Sequence, residues 1–163
     1  MSGPTSAPTL SHLPPDGYTI SDDPARLDLD VIHGFISQSS YWAQEIPRAL
    51  LERALRHSMC WGVYTDAAQV GFARVTTDRA TFAYLADVFI LPEHRGKGLS
   101  KALVAAILAH PDLQGLRRWM LVTADAQKLY ESFGFQAVAK PERYMEIHRP
   151  DIYRIAGDDT KSA

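Results

Sequence analysis

The stretch from Val88 to Leu103, VFILPEHRGKGLSKAL, constrains this chain more than any other. An apolar run of strand character ends at Pro92. A short basic turn follows, Glu93-His94-Arg95-Gly96-Lys97-Gly98. Then Leu99, Leu103, Ala106 and Ile107 recur at helical spacing. Strand, glycine turn and helix start, in that order, build an anion site. The first N–H groups of a helix lack intrahelical partners, and the helix dipole adds partial positive charge there. Glycine lets the backbone approach a phosphate closely and adopt positive φ. Arg95, Lys97 and Lys101 add cationic side chains around it.

Two common phosphate loops do not fit. A Walker loop requires G-x-x-x-x-G-K-[ST], which the chain lacks. A dinucleotide fingerprint requires a third glycine, and Lys101 stands at that position. What remains is Arg95-x-x-Gly98-x-Ser100 after a strand ending in Leu-Pro-Glu. A second segment, Leu121 to Phe135, runs from a strand through a polar turn into a helix, with Thr123, Ala126, Leu129, Tyr130, Gly134 and Phe135 as its marks.

Together these segments resemble the two halves of the coenzyme A site of the GNAT N-acetyltransferase superfamily. The likeness runs from about Cys60 to His148. Two positions depart from the usual pattern: Ser100 replaces a Gly or Ala, and Ala124 replaces a frequent Asn. The resemblance implies an acetyl-CoA-dependent enzyme that passes the acetyl group directly to a primary amine of a small molecule or peptide, within a ternary complex. A non-catalytic acyl-CoA-binding or regulatory module on the same fold stays open, because fold does not set function. The resemblance also implies that the cofactor touches Val88, Phe89 and Ile90 on one strand. It further implies contacts with Arg95, Gly96, Lys97, Gly98, Leu99, Ser100 and Lys101 in the loop, and with Ala126 and Tyr130 on the later helix.

The elements expected along the chain make one α/β domain over 17–150, with tails at 1–16 (Ser/Pro/Thr-rich, disordered) and 151–163. Tyr18–Ser21 reads as a strand and Asp28–Gln38 as a helix. Pro47 stands as the first residue of a second helix. Cys60–Tyr64 and Val70–Val75 form a hairpin, Thr81–Leu91 a long third strand, and Gly98–Ala109 the loop helix. Arg118–Val122 is a strand and Ala126–Phe133 a helix. Ala137-Val138 and Tyr144–His148 are short last strands. The expected sheet is mixed and mostly antiparallel, with flanking helices and one parallel pair that the resemblance says is splayed.

The remaining composition narrows the class. A net charge of −2 without a basic run argues against nucleic acid. No apolar stretch approaches the ~18 residues of a membrane span, and the first residues lack the charged and apolar regions expected of a signal peptide. With Cys60 as the single cysteine, a reducing, cytoplasmic setting is the simplest expectation. The six histidines show no ligand spacing, so no metal is expected. The assembly state stays open, a homodimer included.

Catalytic candidates are few. No Gly-x-Ser-x-Gly elbow exists. Cys60, between Met59 and Trp61, reads as a buried structural thiol, and His94 as a solvated loop residue. Tyr130 shares a helical face with Ala126, Leu129 and Phe133, so it reads as a core tyrosine. The resemblance instead makes it the acid that protonates the departing thiolate. Asp87 is an acid inside an apolar strand, either a hydrogen-bond acceptor at an edge or bulge, or, as the resemblance implies, the group facing the acceptor amine. Strict alternation places it with Leu85 and Phe89, opposite Ala86, Val88 and Ile90. Tyr41 and Trp42 either line the acceptor pocket that the resemblance implies beside this segment, or plug the core. A carboxylate flanked by aromatics favours a cationic or aromatic-bearing amine.

Overall fold

In a computed structural model that describes residues 12–154, a five-stranded sheet forms around the expected hairpin. The strands are β1 (Thr19–Ser21), β2 (Met59–Tyr64), β3 (Gln69–Thr77), β4 (Phe82–Ile90) and β5 (Arg118–Leu121). Their spatial order follows the chain, with antiparallel joints from β1 to β4 and a parallel joint between β4 and β5. A parallel neighbour needs a crossover. Helix α3 (Leu99–Leu108) supplies it, as its periodicity predicts.

Helices α1 (Leu29–Gln38) and α2 (Arg48–Arg56) precede the hairpin. Asp28 caps α1 by accepting hydrogen bonds from the Asp30 and Val31 amides, and Ile32 and Ile36 bury the face one turn apart. Pro47 sits one position earlier than expected. It is the N-cap of α2 in extended conformation, and its carbonyl accepts from Leu50 and Leu51. Arg53 and Arg56 fall in the last turn of α2, where the helix dipole favours cations.

The sheet has a core on each face. One holds Trp61, Val63, Ala73, Val75, Ala83, Leu85 and Ile90 under Leu99, Leu103, Val104 and Ile107 of α3. The other holds Cys60, Phe72 and Phe89 under Ile32, Ile36 and Leu51 of α1 and α2. Phe72 is wholly enclosed there. Truncating such a ring to Ala costs about 3–5 kcal/mol.

The two last strands do not form. Residues 136–150 hold only a 3-10 turn at Pro141–Arg143, and Met145 and Ile147 are almost fully exposed. Alternation in Tyr144–His148 supplies a face, but a strand also needs a partner edge in register. Pro141 removes one donor and opens the turn instead. The expected Gly157–Ala163 tail and most of the N-terminal tail lie outside the described residues.

Candidate active site

Pairing between β4 and β5 stops early. Their register runs from Phe82↔Arg118 to Leu85↔Leu121, whereas β4 continues to Ile90. The strand edge from Ala86 to Ile90 thus faces away from β3 without a partner strand. The cause lies at Asp87. From Phe72↔Phe89 to Arg74↔Ala86, β3 advances two residues and β4 three. The extra residue is a bulge, and Asp87 takes φ 56, a left-handed conformation that Asp tolerates better than most residues. A bulge bends its strand, so β4 turns out of the ladder where β5 ends.

The bulge also corrects the expected facing. Leu85 and Ile90 point into the α3 core, and Phe89 into the opposite one. Asp87 lies with Phe89 and Arg74 on the α1–α2 side, not with Leu85. Strict alternation fails because one residue is inserted in the count.

Beyond Ile90, a 3-10 turn at Pro92–His94 leads to Gly96 and Gly98, both at φ 77. Gly98 is the N-cap of α3 and makes no side-chain cap bond; the first helical bond runs from the Ala102 amide to the Gly98 carbonyl. The Leu99, Ser100 and Lys101 amides therefore stand at the helix start without intrahelical acceptors. A Cβ on Gly96 or Gly98 would project into open space, so the approach to these amides is clear. The loop cations are partly engaged. The Arg95 Nε donates to the Ile90 carbonyl at 2.9 Å, fastening the loop to β4. Lys97 donates to the Tyr18 hydroxyl at 3.2 Å. His94 is not a solvated residue: its Nδ1 lies 2.8 Å from that same hydroxyl. Tyr18 organises the loop from 76 residues away in sequence, and no local pattern announces it.

The opposite wall is the turn after β5. The Thr123 hydroxyl accepts from the Ala126 amide at the start of α4 (Gln127–Glu131). Tyr130 on α4 is buried with its ring edge against Phe135, and burial pushes its phenol up to about 12. Its hydroxyl makes no hydrogen bond to the described residues. Val88, Ala126 and Leu129 pack beside it on the α3 core. Because the Phe89 and Ile90 side chains are sunk into opposite cores, only their backbone faces the gap.

On the α1–α2 side, Asp87 is the centre of a polar cluster. Its Oδ2 accepts from the Arg74 Nε and its Oδ1 from the Trp42 indole N–H, each at 2.7 Å. Arg74 also donates to the Ser58 and Thr76 hydroxyls. Tyr41 stands edge-on to Trp42 at 5.0 Å and accepts at its hydroxyl from the Ala124 amide. The α1–α2 loop thus reaches across the gap, Trp42 to β4 and Tyr41 to the turn after β5. The structure brings Tyr41, Trp42 and Asp87 together and adds Arg74, which the sequence reading misses because an arginine in a strand carries no signal. Cys60 is buried on this face, and burial pushes its thiol up to about 12, so it holds its proton at neutral pH.

A model of the GNAT acetyltransferase domain matches residues 56–137. A Gibberella zeae protein, FG08082, named as a presumed acetyltransferase, is 37% identical over 135 residues, covering 69% of this chain and 75% of its own. The 1.40 Å crystal structure of a GNAT-family protein from Xanthomonas campestris pv. campestris superposes with TM-score 0.83 at 52% identity, covering 86% of this chain and 98% of that one. A Clostridium acetobutylicum acetyltransferase crystallised with acetyl-CoA shares the fold at TM-score 0.56 and 15% identity, covering 80% and 94%. In its split sheet, its glycine loop and its likeness along most of two relatives, the chain belongs to the GNAT acetyltransferase family.

Proposed function

We propose that this acetyltransferase moves the acetyl group of acetyl-CoA straight to a primary amine, with both bound at once. One observation carries the reading: the unpaired reach of β4 from Ala86 to Ile90 runs directly into a helix start whose amides are free. Acetyl-CoA supplies an activated thioester and a thiolate leaving group. The amides of Leu99, Ser100 and Lys101 suit its pyrophosphate, with Gly96 and Gly98 allowing close approach. The backbone of Val88, Phe89 and Ile90 suits its amide-bearing arm, in place of the missing strand. Ala126 and Tyr130 form the other wall.

From that wall the Tyr130 hydroxyl gives its proton to the departing sulfur. Across the gap, Asp87 holds Trp42 and retains lone pairs for an amine N–H, since a carboxylate accepts at about four positions, and it takes the proton that the nitrogen sheds as the N–C bond forms and the C–S bond breaks. Arg74 offsets its charge. The neutral pair removes the strong bias toward a cationic acceptor that Asp87 alone would create. Cys60 stays a thiol, which supports transfer without an acyl-enzyme. Free-thiol release from acetyl-CoA over a panel of small amines, amino acids, polyamines and peptide amino termini tests the reading. Amine-dependent release supports it. Tight acetyl-CoA binding without release to any amine would instead identify a binding module.

A further inference from the structure

An open cavity of about 540 Å³ lies between the start of β5 and the segment after α4, lined by Arg118, Val138, Ala139, Lys140, Arg143, Tyr144 and Met145. Three cations line it and no acid does. Among the described residues none of the three has an ion-pair partner. Arg118 places its guanidinium over the Tyr144 ring at 5.5 Å. The nearby acids Glu142 and Glu146 belong to the same segment but do not line the cavity.

The sheet places this cavity on the acceptor face. Trp119 and Leu121 pack toward α3, so Arg118 and Met120 alternate to the other side. That is the side of Tyr84, Arg74 and Asp87. Arg118 pairs in register with Phe82, and Asp87 lies five residues further along β4, one of them in the bulge. At about 3.3 Å per residue, Phe82, which pairs with the cavity-lining Arg118, and Asp87 are roughly 13–16 Å apart along β4.

We propose that the acceptor is an extended peptide with an acidic side chain near its fifth residue. That side chain enters the cavity while the terminal amine lies at Asp87. The proposal rests on the direct-transfer reading and names its acceptor class. An extended peptide has the same rise as β4, so about four steps separate the two contacts. Apolar Val138 and Met145 and the Tyr144 ring accommodate the stem of a glutamate.

The test compares peptides of equal length with a free amino terminus, carrying Glu at position five, Gln at position five, or Glu at position two. Thiol release should show KM about tenfold lower for Glu at position five, with kcat nearly unchanged, as two or three partly solvated ion pairs allow. The exposed double substitution K140E/R143E should erase that preference, so that the Glu and Gln peptides show the same KM. Calorimetry with the Glu-five peptide bearing a blocked amino terminus gives a second readout without turnover. It should bind the parent and not the double variant. Equal kcat/KM for the Glu and Gln peptides, or a preference that survives the double substitution, overturns the proposal. If small amines are acetylated and the blocked peptide does not bind, the cavity assignment fails and direct transfer stands. If the blocked peptide binds through Lys140 and Arg143 and no amine is acetylated, direct transfer fails and the anion cavity stands.

Discussion

Tyr130 is buried on α4 with its phenol pushed up to about 12 by burial, so it is fully protonated at neutral pH. That is the form a proton donor needs. Tyr130→Phe keeps the ring against Phe135 and removes only the hydroxyl. The expected result is a fall in kcat of about 10²-fold with unchanged acetyl-CoA affinity by calorimetry. The ratio of parent to variant should stay constant from pH 6 to 9, because the phenol does not titrate there. An unimpaired kcat returns Tyr130 to a packing role. Asp87→Asn is the companion test. Asn tolerates the left-handed backbone at this position, but it keeps one acceptor oxygen for two donors, Arg74 and Trp42. The expectation is a drop of at least about tenfold in kcat/KM for the amine, typical of a lost charge-assisted bond, with acetyl-CoA binding intact. Amine kinetics matching the parent across pH would make Asp87 purely structural. Both residues are legible as types in the sequence. Arg74 and Tyr18 are not, since their partners lie 13 and 76 residues away.

The start of α3 is the element with the clearest demand on sequence. Gly98 holds φ 77 with empty space where a Cβ would stand. Gly98→Val therefore meets no clash with a neighbour, but a left-handed β-branched residue costs about 1–2 kcal/mol and shields the free amides. The buried face of α3, from Leu99 to Ile107, continues to hold the helix. The variant should melt cooperatively a few degrees lower and lose acetyl-CoA binding by calorimetry. Unchanged affinity would move the pyrophosphate away from this loop. The bulge in β4 is the second such element. It opens the ladder by one residue in three, and that residue is the acid.

Among the described residues, the buried Cys60, Tyr64 and Tyr130 and the half-buried Tyr84 respond to alkaline pH. Burial raises Cys60 from 9.0 to about 12 and Tyr130 from 10.0 to about 12, and it raises Tyr64 and Tyr84 as well. The folded state holds these protons more tightly than the unfolded chain. Their contribution is fully present below pH 9 and is lost as pH rises toward 12. Thermal melts should show a Tm that declines through this window, with a shallower decline in a Cys60→Ala/Tyr130→Phe variant. Parallel curves for the two proteins would assign the alkaline loss to other groups.

Local chemistry is written in the chain, and what it settles is local. The glycine turn and the helix after it depend on φ preference and 3.6-residue spacing within some twenty residues, so the glycine loop and the order of most elements follow from sequence alone. Which strand bulges, and by how much, depends on how two strands of unequal count are held in register by two cores. Alternation therefore misplaces Asp87 relative to Leu85, and the last two strands fail for want of a partner edge. The meeting of Arg74, Trp42 and Asp87, the clasp of Tyr18 on His94 and Lys97, and the cationic cavity beside β5 are likewise tertiary. Each joins side chains that no local periodicity relates, and only the packing of the sheet decides their distance.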